Sequence, residues 1–120
     1  MIDELISRVF ATRNAAHLAH WSVRGRGSFS AHMALGEFYD AILDKIDQIV
    51  EVYQGAFGIV EVADTQSVDP KDIKNHIFIE AQWLQDNREE ISQDVSAIEN
   101  LIDDLCATYL KTHYKLKNLE

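Results

Sequence analysis

Apolar side chains recur along this chain at three- and four-residue steps, the period of helices that each bury one face. Leu5, Ile6, Val9, Phe10, Ala16 and Ala19 form such a stripe and predict a first helix over residues 2–23. Arg24-Gly25-Arg26-Gly27 breaks it, because two glycines within three positions make continued helix costly. Ser28 or Ser30 is placed to cap a second helix over 31–54. Its broad apolar face runs from Leu35 through Phe38, Ile42, Ile46 and Ile49 to Tyr53, and Gly55 is the expected stop.

Residues 56–68 lose the period. Ile59, Val60 and Val62 have the make-up of a short strand, but no second strand is available to pair with it. They read better as a crossover whose apolar residues pack on the bundle. Asp69-Pro70 then starts a third helix, with Asp as cap and Pro at the first helical position. Ile73, Ile77, Ala81 and Leu84 carry its stripe, and it ends near Ile91. A fourth helix starts at Val95 or Ser96, with Ile98, Leu101, Ile102, Leu105, Tyr109, Leu110 and Leu116 on one side, and ends near Leu119. Two short connections and a long one between helices two and three predict an all-α, ferritin-like four-helix bundle with a long crossover. It forms a single domain over residues 1–120.

Composition agrees with long helices: only five glycines and one proline occur in 120 residues. The formal net charge of −9 argues against DNA as a partner, since phosphate binding rests on Lys and Arg, and it suits cations instead. A single cysteine, Cys106, excludes an intrachain disulfide and fits a reducing compartment. No secretory signal opens the chain and no apolar run is long enough to cross a bilayer, so no membrane partner is expected and the cytoplasm is the expected location.

Four residues suggest chemistry: His20, His32, Asp47 and Glu51. Two imidazoles and two carboxylates suit iron, manganese or zinc. Asp47 and Glu51 are four apart and share a helix face, while a helical hairpin brings His20 and His32 to one end of the bundle. His32 and Asp47, however, are separated by about 22 Å of helix, so they cannot hold one ion within a single chain. They can do so across a twofold axis, if two copies of the second helix cross antiparallel near Asp40 and Ala41, giving one site at each end. The intrachain di-iron design, Glu-x-x-His on two helices, is absent: none of the five histidines has Glu three residues before it.

The run His20-Trp21-Ser22-Val23-Arg24-Gly25, then His32, Phe38-Tyr39-Asp40 and Asp47-x-x-x-Glu51, resembles the DNA-protection-during-starvation (Dps) family of mini-ferritins, as does the break at Gly55–Gly58. The motif match covers residues 17–58. The resemblance implies Fe(II) binding between subunits, its oxidation by hydrogen peroxide or oxygen, and iron storage in a twelve-subunit shell. It assigns His20 and His32 as ligands from one subunit and Asp47 and Glu51 from its partner, with zinc as a substitute metal. The family commonly carries a carboxylate where this chain has Gly36; many members use a Lys-rich N-terminal tail to bind DNA, which is not expected here, and the connection after helix two reads as too short for the family's usual extra helix. The alternative reading is a degenerate ferritin-like dimer that holds a structural zinc or acts as a scaffold without oxidation.

Other candidates receive structural readings. His17 shares a face with His20 and reads as structural. Trp21 either shields a metal centre or fills the hairpin core. His76 and His113 carry no assigned role, and Cys106 reads as a buried small hydrophobe. Lys111, Lys115 and Lys117 complement the dipole of the last helix.

Overall fold

The computed structural model describes residues 1–61 and 66–120. Among the described residues the fold has four α-helices: α1 (Ile2–Ser22), α2 (Ser28–Phe57), α3 (Ile73–Ser92) and α4 (Ser96–Asn118). A 3-10 turn at Pro70–Asp72 precedes α3. α1 packs on α2 and α3, and α4 packs on α2 and α3, so the helices form a four-cornered bundle 47 Å long. The predicted stripes meet in its centre: Leu5, Leu35, Ile42, Ile49, Ile77, Ile98 and Leu105 are all fully buried.

Two helix boundaries differ from the pattern. Helix α2 starts at Ser28 rather than residue 31, and no serine side chain caps it. Backbone bonds close the turn instead: Ser28 N–H donates to Gly25 C=O and Ala31 N–H to Gly27 C=O, each at 3.1 Å. At its other end α2 runs through Gly55 and stops at Gly58, whose φ of 102° only glycine adopts readily. A glycine inside a helix costs only about 1 kcal/mol, which the buried Ile49 and its neighbours override. Asp69 caps as expected, its carboxylate accepting from Lys71 N–H at 2.9 Å, but the turn it caps is the 3-10 turn. The described parts of the 56–68 link show no strand: α2 reaches Phe57, and 58–61 and 66–69 are irregular; Val62 lies outside the described residues.

Cross-helix pairs fix the directions. Arg8 meets Glu80 and Thr12 meets His76, so α1 and α3 run antiparallel. Glu37 meets Lys115 and Lys45 meets Asp104, so α2 and α4 also run antiparallel. Arg88 grips Asp103 at 2.6 and 2.9 Å and Glu99 at 3.0 Å, tying α3 to α4.

A polar cluster interrupts the apolar core between α1, α3 and α4. Glu80 is 5% exposed, and its carboxylate takes Arg8 Nη1 at 2.6 Å. Thr12 Oγ1 lies 2.8 Å from His76 Nε2, and Tyr109 of α4 is buried to 1% exposure. Burial pushes the Tyr109 phenol well above its ordinary range. The Arg8 guanidinium also lies 4.4 Å from the Trp83 ring, which shields the ion pair.

Two outcomes follow. Glu80→Ala leaves Arg8 without its buried partner and lowers unfolding stability by about 2 kcal/mol, measured by urea denaturation. Burial also pushes His76 below its ordinary 6.5, outweighing the attraction of Glu80. A depressed histidine favours the neutral ring in the fold, so its contribution is whole above pH 6.5 and is lost as pH falls below it. His76→Gln removes that part of the acid-side slope; an unchanged slope contradicts the assignment.

Candidate metal site on the first two helices

The α1–α2 hairpin brings His20 and His32 together as the sequence predicts. Their rings stack at 3.6 Å between centroids and 17° between planes. Each ring bonds the backbone of the other residue: His20 Nδ1 donates to His32 C=O at 2.6 Å, and His32 Nδ1 donates to His20 C=O at 2.7 Å. A carbonyl oxygen can only accept, so both Nδ1 atoms carry protons. In the neutral rings, Nε2 is then the nitrogen with a free lone pair, the arrangement that prepares a histidine for a cation. The bonds also answer a backbone need. His20 lies in the last turn of α1, where carbonyls lack helical partners, and His32 supplies one.

Gly36 makes this pairing possible. A Cβ at that position would sit 3.0 Å from His20 Cε1 and 3.3 Å from His20 Nδ1. The His20 ring therefore occupies the space a side chain at position 36 would need, which gives a packing reason for glycine where a carboxylate is expected by resemblance. The neighbouring Glu37 points elsewhere and bonds Lys115 at 3.0 Å. That ion pair holds the Glu37 carboxyl below its usual range.

An aromatic column extends from the histidines. Tyr39 meets His20 edge-on at 5.4 Å and stacks on His17 at 4.1 Å, and His17 lies 4.3 Å from Trp21. Trp21 is 67% exposed, so it covers the His17 ring and does not fill the hairpin core. Arg13 sits 5.4 Å from the Tyr39 ring, and its Nε is buried without a hydrogen-bond partner among the described residues. By sequence His17 reads as structural, and Tyr39 reads as part of the apolar face of the second helix and of the Dps-like motif. The i, i+3 spacing of His17 and His20 was the available signal, and it needed the packing of α2 to become a stack.

Asp47 and Glu51 are exposed on α2 and line an open groove with Ala41, Asp44, Lys45 and Gln48. The structure does not bring them to the histidines. α2 is continuous from Ser28 to Phe57, so 15 residues of helix, about 22 Å, separate His32 from Asp47. Among the described residues, no three His, Cys, Asp or Glu side chains converge as a metal cluster. Cys106 is buried as expected, its thiol 3.5 Å from Ala81 C=O. Glu80 was missed. Its signal was a carboxylate on the buried stripe, three residues after Ile77 and four before Leu84.

Both imidazoles are expected to be Nδ1–H tautomers by 15N NMR at pH 8; Nε2–H tautomers would contradict the reciprocal bonds. Gly36→Ala forces the His20 ring to move. The move, a few tenths of an ångström, strains the two His20–His32 bonds and lowers stability by about 1 kcal/mol in the same urea assay.

No curated protein matches the chain, and no solved structure matches it. One family profile does, over residues 20–116, a span that starts at His20 and contains His32, Asp47 and Glu51. The chain belongs to that family, DUF5856, a family of unknown function.

Proposed function

We propose that this protein is a ferritin-like, Dps-like bundle that pairs through α1 and α2 and takes Fe(II) between the two copies. The observation that carries this reading is the reciprocal His20–His32 pair, with each Nδ1 committed to backbone and each Nε2 left for a ligand. His20 and His32 of one copy would meet Asp47 and Glu51 of its partner. Their exposure on α2 suits that encounter. The orphan Nε of Arg13 lies on α1 beside Tyr39 of α2, on the same pair of helices.

The helix directions support the ferritin-like topology. α1 is antiparallel to both α2 and α3, so α2 and α3 run the same way, and their link has to travel the length of the bundle. The surroundings of its described parts support that reading. Gly58, Ile59, Val60 and Glu61 stand beside Ile2 and Asp3; Gln66 and Val68 stand beside Glu4, Ser7 and Ala11.

Iron is the substrate. Two Fe(II) ions give one electron each to hydrogen peroxide, which with two protons leaves as two waters. The histidines set the approach of the cation, and the two carboxylates favour the ferric product by their charge. The acidic residues along the outer side of α2, Asp40, Asp44, Asp47 and Glu51, raise the local concentration of cations. A homodimer is the least assembly this requires, and a twelve-subunit shell would add storage. The single buried thiol suits the reducing cytoplasm. Among the described residues, no helix is long and apolar enough to cross a membrane.

A second reading rests on Gly36. With the His20 ring in the space at that position, the site has two nitrogens and two carboxylates, a set that suits tetrahedral zinc held without redox chemistry. This would be a structural dimer or interaction scaffold. Peroxide consumption with Fe(II) separates the two. The first reading predicts a rate at least about tenfold lower in Asp47→Ala, Glu51→Ala, a loss of about 1.4 kcal/mol or more in the barrier. An unchanged rate overturns the site. Tight zinc binding with no iron-dependent consumption favours the second reading.

A further inference from the structure

The opposite face of the bundle, made by α3 and α4, carries a charge pattern that net charge conceals. At one end Lys74 and Phe78 of α3 lie beside Leu110, Tyr114 and Lys117 of α4, all exposed. The two helices are joined there by the Phe78–His113 contact at 4.8 Å and by His113 Nδ1 donating to Lys74 C=O at 3.0 Å. Five of the six lysines fall in this half of the molecule, Lys45 being the exception. At the other end α3 exposes Asp86 and Glu89. Glu89 follows Phe78 by eleven residues, three helical turns, and so shares its face; about 22 Å of helix separate it from Lys74.

Screening decides what this pattern can do. At physiological salt, charges act over about 8 Å, far less than the 47 Å length of the bundle. Each end is therefore felt by a partner separately, and the overall −9 does not prevent contact at the basic end. A long polyanion laid along this face would meet favourable lysines at one end and repelling carboxylates at the other. A surface that is basic at one end and acidic at the other is matched by its own copy turned end for end.

We propose that the α3–α4 face binds a second copy of this chain, antiparallel about a twofold axis near Gln82 and Ala107. Lys74 and Lys117 of each copy face Asp86 and Glu89 of the other, with Phe78, Leu110 and Tyr114 supplying apolar contact. Ala107 keeps the centre low enough for the helices to approach. This contact is separate from the α1–α2 pairing and needs no metal.

The test is particle mass by sedimentation, with a chelator present so that metal bridging is excluded. Lys74→Glu, Lys117→Glu and, separately, Asp86→Lys, Glu89→Lys are each expected to weaken self-association by about tenfold or more, and so is raised salt. Mixing the two variants restores the mass of the parent, because every opposed charge is again complementary. Circular dichroism confirms that each variant stays helical. Masses equal to the parent in both variants overturn the proposal, as does a mixture that fails to regain it. If the lysine variant keeps the parent mass but loses binding to a thymidine oligonucleotide or to phosphatidylserine vesicles, the face serves an anionic partner and the proposal is wrong. Metal binding by the α1–α2 face is unaffected by any of these results.

Discussion

The reciprocal bonding between His20 and His32 is the constraint on which the hairpin end of this molecule depends. His32 supplies the hydrogen bond that the His20 carbonyl lacks at the end of α1, and His20 returns one to the His32 carbonyl, so neither ring can move without breaking a hydrogen bond on a packed hairpin. Three other features follow from it. Gly36 leaves room for the His20 ring, which would lie only 3.0 Å from a Cβ at that position. Tyr39 is placed to buttress His20 and to stack on His17. The proton on each Nδ1 directs the remaining chemistry of both residues to Nε2.

The bundle holds this hairpin in place through unlike contacts. Apolar stripes fill most of the interior, and a buried carboxylate, Glu80, is held by Arg8 from across the α1–α3 seam. The Thr12–His76 bond and the buried Tyr109 complete that cluster. A buried pair of this kind is a weak source of net stability, yet it fixes which residues meet. Here it sets the register of α3 against α1, and with it the direction in which the chain must return from α2.

The number and order of the helices were legible in the sequence because a 3.6-residue period needs no tertiary information. So was the meeting of His20 and His32, which any short hairpin enforces. Boundaries were less legible. Gly55 resembled a stop, but a helix ends where a left-handed residue is tolerated and burial permits it, and that place is Gly58. Ser28 and Ser30 resembled caps, but two backbone bonds across Gly25 and Gly27 already close the turn. Gly36 read as a missing ligand because spacing records what a position lacks and not what fills the space. Net charge had a similar limit: it sums over the chain, whereas screening makes only neighbours count, so the lysines of the last helix read as dipole partners until the packing of α3 set Lys74 at the same end.

The central claim is that His20 and His32 work with Asp47 and Glu51 of another copy, because one continuous helix keeps them apart within a chain. Mixed dimers test it most directly. One partner carries His20→Ala, His32→Ala and the other Asp47→Ala, Glu51→Ala, and the metal bound per dimer is counted by native mass spectrometry. Shared sites predict no metal on either variant homodimer and one ion on the mixed dimer, where one intact site is rebuilt. A mixed dimer that binds none, or a variant homodimer that keeps its metal, contradicts the account.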